Sequence, residues 1–312
     1  MRSFDKASIV AAINEDDAVS AIEHAFRDHS NGRVHSFPSG HLRFDRPPGD
    51  FHVKGAHIIG HPYFTIKMAS SFFDNPKRGL PSSNGLMLVF NAESGEPVAT
   101  LLDEGLLTDL RTAIAGSIAA RLIAPESARR IGIVGAGTQG AMQARWVSRL
   151  LGSAEIGIWA RDAARAEALA ASLRSEGHEA KAVSELNTLC AQNDVIVTTT
   201  PSNTPLIGME QLRPGLRIVA IGADATGKRE LSLDLVEAAD VLLVDSRSQC
   251  LAYGDCAGIS DPTRLIEIGE ALSRGSTLAL SAESIAIADL TGIGVQDAAI
   301  AELAWQHLTT KL

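Results

Sequence analysis

The sequence predicts an α/β fold: a Rossmann-type doubly wound parallel sheet joined to a discontinuous α+β domain. Three observations carry this. The turn Gly135-x-Gly137-x-x-Gly140 follows the apolar run Ile131–Val134 and opens a helical pattern. Strand-sized and helix-sized apolar segments then alternate to about residue 245. The residues before the turn show period-two alternation and hairpin signals instead.

Taken in order, residues 14–30 read as a helix. Asn14 or Asp16 can cap it, and Val19, Ile22, Ala25 and Phe26 recur at helical spacing. A stretch with Gly32, Pro38, Gly40, Pro47 and Pro48 reads as loop or short strands. Residues 51–56 and 63–69 alternate as strands, and 85–90 and 97–102 form a hairpin about Glu93-Ser94-Gly95-Glu96. Residues 107–123 are helical and broken by Pro125. Beyond them come strands at 131–134, 155–159, 180–183, 195–199, 217–221 and 241–245. Helices at 138–151, 162–176, 185–192 and 233–238 alternate with them. After 260, Leu265–Arg274 reads as helix, Ser284–Asp289 as strand and Gln296–Leu308 as a closing helix that returns to the first domain. The expected domains are therefore 1–116 plus 288–312, and 117–287.

The 312 residues are 45% apolar and 21% charged, a globular composition for about two domains. The net charge of −9, with no basic run, argues against a nucleic-acid partner. The first residues carry no signal-peptide pattern, and the apolar runs are strand-sized, so no membrane association is expected. Cys190, Cys250 and Cys256 have no C-x-x-C spacing and read as thiols in a reducing cytoplasm. His35, His41, His52, His57 and His61 are scattered without metal-binding spacing, so no metal is expected.

The glycines have separate tasks. Gly135 permits a tight turn, Gly137 lets backbone approach a pyrophosphate, and Gly140 lets helix and strand pack closely. The helix start supplies unpaired N–H groups to the anion. An NAD site usually has an acid at the end of the second strand. Here Arg161 occupies that place and can pair with a ribose 2′-phosphate, which favours NADP. The alternative is NAD, with Arg161 on the adenine and Asp162 or backbone on the ribose. Thr199 and Thr200 end the fourth strand at the edge that faces a cofactor in such sheets.

Four charged residues stand in apolar surroundings: Lys54, Lys67, Arg111 and Asp224. Each is either a surface residue on a half-exposed face or a buried group needing a partner. As functional groups, Lys67 can polarise a C=N or C=O bond or hold a carboxylate, Arg111 can clamp a carboxylate, and Asp224 lies at the crevice edge, where hydride transfer would occur.

Several motifs together resemble the ornithine cyclodeaminase/mu-crystallin family. They are Lys67, Asp74-Asn75-Pro76-x-x-Gly79-Leu80-Pro81, Gly95-Glu96-Pro97 and Leu106-Leu107-Thr108-x-Leu110-Arg111-Thr112-Ala113. They continue with Gly135-Ala136-Gly137-Thr138-Gln139-Gly140, Gly222-Ala223-Asp224-x-x-Gly227-Lys228-x-Glu230-Leu231 and Asp289-Leu290-Thr291-Gly292-x-Gly294-x-Gln296-Asp297. The resemblance implies a homodimer whose discontinuous first domain makes the dimer contact and the substrate site. It implies Lys67 and Asp224 as catalytic residues, Arg111 as the carboxylate clamp, and Thr112, Thr138 and Gln139 beside the cofactor. Where many members have Pro-x-Arg, this chain has Pro38-Ser39-Gly40, leaving Lys54, His41 or Arg43 to compensate.

The expected function is an NAD(P)-dependent ketimine reductase or amino acid dehydrogenase acting on a small 2-imino or cyclic imino carboxylate. The alternatives are a cyclodeaminase that recycles NAD and releases ammonia, and a nucleotide-binding, crystallin-like protein without activity.

Overall fold

The computed structural model describes residues 1–72, 74–152, 155–273, 278 and 280–310. The chain divides into two compact units, Met1–Arg111 with Ile293–Leu312, and Thr112–Gly292.

The first unit runs β1 (Arg2–Asp5), α1 (Lys6–Ala12), α2 (Glu15–Ser30), β2 (Val34–Ser36), β3 (Gly40–Asp45), β4 (Pro48–Ile58), β5 (Tyr63–Phe72), β6 (Ser83–Asn91) and β7 (Pro97–Leu102), then the start of α3 (Leu106–Ile123). The sheet order is β1-β7-β6-β5-β4-β2, with β3 also paired to β4. All its pairings are antiparallel except β1 with β7. Asn14, rather than Asp16, caps α2, accepting from the N–H groups of Asp16 and Asp17 at 2.9 and 3.0 Å. In the β6–β7 turn, the Asn91 side chain accepts from Glu93 and Ser94, and Gly95 takes a positive φ of 74°.

The strand register places Lys54 opposite Lys67, and Lys67 opposite Met87. Alternate residues share a face. One face thus carries Asp50, His52 and Lys54 on β4, Lys67 on β5, and His41 and Arg43 on β3.

The second unit continues α3 and adds β8 (Arg130–Val134), α4 (Thr138–Leu151), β9 (Glu155–Trp159), α5 (Ala163–Ser175), β10 (Ala180–Ala182), α6 (Leu186–Gln192) and β11 (Val195–Thr198). It goes on through β12 (Arg217–Ala220), α7 (Leu233–Glu237), β13 (Val241–Val244), α8 (Arg247–Tyr253), β14 (Leu265–Glu267), α9 (Ile268–Ser273) and β15 (Ala286–Asp289). The last helix, α10 (Gly294–Thr310), belongs to the first unit, where it packs on α2, β4 and β5. The second sheet is wholly parallel in the order β10-β9-β8-β11-β12-β15-β13-β14. The chain enters at β8, builds outward through β9 and β10, then returns to the other side of β8 with β11. That reversal is the switch point where such sheets take ligands, outside the carboxyl ends of the strands. Val134, Ile196, Ile218, Val244 and Ile287 pack its core.

One predicted element changes. Leu265–Arg274 is not helical from its start. Leu265, Ile266 and Glu267 pair with Leu242, Leu243 and Val244, and the helix begins at Ile268. A run as short as Leu265-Ile266 carries no decisive period, and the open edge of β13 selects the strand. Arg274 lies outside the described residues.

Candidate functional site

In the second unit, β8 leads into Gly135, whose φ of +118° a side chain would resist. Its N–H donates to the Trp159 carbonyl at 2.8 Å, joining the ends of β8 and β9. A Cβ on Gly140 would lie 2.0 Å from the Gly135 carbonyl oxygen, so that glycine is forced by packing within the chain. Gly137 differs: a Cβ there meets nothing within 4 Å, and its backbone is extended at φ −96°. Gly137 also opens α4 without a side-chain cap, so the first N–H groups of that helix point outward beside exposed Thr138 and half-buried Gln139. Bare backbone, an uncapped helix start and room for a ligand fit the pyrophosphate of a dinucleotide. Gly137→Ala is therefore expected to keep the melting temperature of the parent chain while weakening dinucleotide binding about tenfold or more. Calorimetric titration beside thermal melting checks this, and equal affinities would refute it.

Arg161 is exposed just past β9. Asp162 caps α5, accepting from the Ala164 N–H at 3.0 Å. Thr199 is half-buried, with its hydroxyl donating to the Val134 carbonyl at 3.2 Å. The hydroxyl and N–H of Thr200 both donate to Glu230, at 2.7 and 2.6 Å. Thr112 is half-buried, and its carbonyl accepts from Gln143 at 3.0 Å.

Glu230 stands in the Gly222–Leu231 motif, where the sequence alone assigns it no role. It is fully buried and also accepts from the Thr198 hydroxyl at 2.6 Å and the Gly222 N–H at 2.7 Å. One carboxylate thus ties the loop after β11 to the loop after β12. Asp224 stands on the latter loop, half-buried, with Oδ1 2.7 Å from Lys228 Nζ. Burial pushes the Glu230 carboxyl up to about 7, against the pull of its hydroxyl and N–H donors.

In the first unit, Lys54, Lys67 and Arg111 are all buried. Arg111 Nε donates to Asp297 Oδ1 at 2.9 Å and Nη1 to Gln296 Oε1 at 2.9 Å, which fixes the plane of the guanidinium. Lys67 Nζ lies 3.7 Å from Asp297 Oδ2. Two buried cations thus share the carboxylate of Asp297, at the start of α10. Burial pushes the carboxyl of nearby Asp103, which caps α3 through the Leu107 N–H, above its ordinary range. His41 and Arg43 are exposed on β3, so of the residues set against the missing arginine only Lys54 is buried with Lys67 and Arg111. Asp297 and Gln296 drew no role from the sequence either. The available signal was polar residues at the start of an otherwise apolar helix.

The sequence model described as the ornithine cyclodeaminase/mu-crystallin family matches residues 4–311. An uncharacterized cyclodeaminase of Sinorhizobium fredii is 39% identical, the match covering 93% of this chain and 90% of the relative. Among solved structures, an archaeal alanine dehydrogenase dimer with bound NAD superposes with a TM-score of 0.89 at 29% identity, covering 99% of this chain and 96% of that one. The iminosuccinate reductase of Paracoccus denitrificans in complex with NAD+ gives 0.87 at 28% identity, over 99% and 96%.

Proposed function

From the premise that the chain belongs to the ornithine cyclodeaminase/mu-crystallin family, we propose that it is an NAD(P)-dependent imino acid reductase or amino acid dehydrogenase. Its substrate would be a small 2-imino or cyclic imino carboxylate. The observation that carries this is the sharing of Asp297 by buried Lys67 and Arg111. A substrate carboxylate brought to these two buried cations would be held by both. A bound nicotinamide dinucleotide supplies the hydride donor or acceptor. Arg111, held flat by Asp297 and Gln296, orients the substrate carboxylate. Lys67 Nζ holds a proton toward the imine nitrogen, and the Asp224 carboxylate, paired with Lys228, is the second proton-handling group. Lys54, on the same sheet face as Lys67, adds positive charge toward the anionic substrate.

We favour NADP as the cofactor, because Arg161 replaces the usual acid while the Asp162 carboxylate is engaged as a helix cap. Arg161→Ala is expected to lower kcat/KM with NADPH about tenfold or more and to leave NADH turnover nearly unchanged. Equal losses with both would return the preference to NAD. We further propose a homodimer, as in the alanine dehydrogenase neighbour. A cytoplasmic location is proposed from three thiols that are all free and buried.

The test is oxidation of NADPH or NADH in the presence of pyrroline- and piperideine-2-carboxylate, or of 2-oxo acids with ammonia or methylamine. Substrate-dependent loss of reduced cofactor, reduced about a hundredfold or more by Lys67→Ala or Asp224→Asn, supports the reductase. Ammonia released from ornithine without net cofactor turnover would overturn it in favour of a cyclodeaminase.

A further inference from the structure

We propose a transition-metal site on the first unit, formed by His41, Asp50 and His52, for a zinc-class divalent cation. The proposal stands apart from the reductase reading. His41 and His52 are direct cross-strand partners of β3 and β4, and Asp50 lies two residues before His52 on the same face. Cross-strand partners on one face bring their Cβ atoms within about 5.5 Å, so two imidazoles there can converge on one ion. The rings lie side by side, stacked with centroids 4.5 Å apart and 15° between planes, so a rotation of each about its side-chain torsions would aim one nitrogen of each at a common ion. His41 Nε2 is 3.3 Å from Asp50 Oδ1, and one donor atom from each of the three residues lies within 4.8 Å of the others.

The donor set selects the cation. Two imidazole nitrogens and one carboxylate oxygen suit zinc, cobalt, nickel or copper, whereas calcium and magnesium want oxygen. Three protein ligands leave a coordination position for water or an anion. The Asp50 side chain is only 9% exposed while that of His41 is 32% exposed, so the anionic ligand is anchored in the sheet and the site opens to solvent through His41. Buried Lys54, two residues further along the same face, and Arg43, opposite Asp50, oppose a dication. Their repulsion makes the affinity for a dication lower than the same three ligands would give without them.

The fold also supplies a control. His35 and His57 are cross-strand partners with stacked rings 6.4 Å apart, but among the described residues no carboxylate joins them in a donor cluster. Cobalt(II) titrated into the full-length protein should bind one ion per chain, give a visible ligand-field band and be displaced by zinc. His52→Asn and Asp50→Asn should each weaken binding about tenfold or more with an unchanged circular dichroism spectrum, while His35→Asn should bind as the parent does. Failure to bind at millimolar cobalt would overturn the proposal. So would binding that His41→Asn, His52→Asn and Asp50→Asn all leave intact, or that His35→Asn weakens equally.

Discussion

Asp297→Ala is expected to lower the melting temperature by about 5–8 °C. Asp297 is fully buried and serves two buried cations, Arg111 Nε at 2.9 Å and Lys67 Nζ at 3.7 Å. Removing one partner from a buried ion pair costs about 3–5 kcal/mol, because the remaining charge keeps its desolvation penalty and loses its compensation. Gln296 Oε1 still accepts from Arg111, so the guanidinium is not abandoned and the loss falls most heavily on Nε and on Lys67. Asp297→Asn, which keeps the volume and one acceptor but not the charge, should lose less. Adding Lys67→Met to Asp297→Ala should recover part of the loss, since the two sites are coupled. Thermal melting by circular dichroism reads all three variants. A shift below about 2 °C for Asp297→Ala would mean that the cations repartner without cost, and would remove the charge argument on which carboxylate binding rests.

The fold was legible where periodicity is strong. The parallel βα units after Gly135 and the β6–β7 hairpin announce themselves through apolar spacing and turn chemistry. β1 was not visible, because four mostly exposed residues pairing with β7 carry no pattern of their own. Nor was α8, seven residues with only Cys250 buried. Strand order was invisible for a different reason: β15 enters between β12 and β13 across some forty intervening residues, and pairing at that separation leaves no local signal. The candidate site divides the same way. Gly135, Gly137 and Gly140 could be assigned tasks because a backbone turn is local. The attachment of Lys67 and Arg111 to Asp297 joins three distant segments of the first unit. The cluster of His41 with His52 depends on β3–β4 register, in which a shift of one residue would turn one ring to the other face.

Stability is expected to fall as pH rises from about 5 to about 9. The second unit buries Glu230, Asp255 and Asp289, whose carboxyls burial pushes up to about 7, about 6 and about 8. Mutual repulsion adds to the effect: Asp255 raises both Glu230 and Asp289, and Asp245 also raises Asp289. In the unfolded chain these groups ionise near pH 4. Between the unfolded and folded values the native state holds protons that the unfolded state has released, so each pH step favours unfolding. The contribution is complete below about pH 4 and gone above about pH 8. Carboxyls held below their ordinary range, such as Glu176 beside Arg145 and Asp194 on the Arg129 and Arg130 N–H groups, act oppositely. Their stabilisation is complete once pH passes about 5, and solvent screening keeps it small. The maximum therefore falls on the mildly acidic side. Asp289 governs the alkaline limb. Its Oδ2 accepts from the Cys256 N–H at 2.8 Å, while its buried Oδ1 has no hydrogen-bond partner, an arrangement that a neutral side chain tolerates better than a carboxylate. Asp289→Asn imitates the neutral acid, so it should melt close to the parent at about pH 5 and above it at about pH 9. A parent melting temperature that climbs between those limits, or an asparagine variant with the parent's slope, would show that Asp289 is ionised throughout and that the buried donors outweigh desolvation.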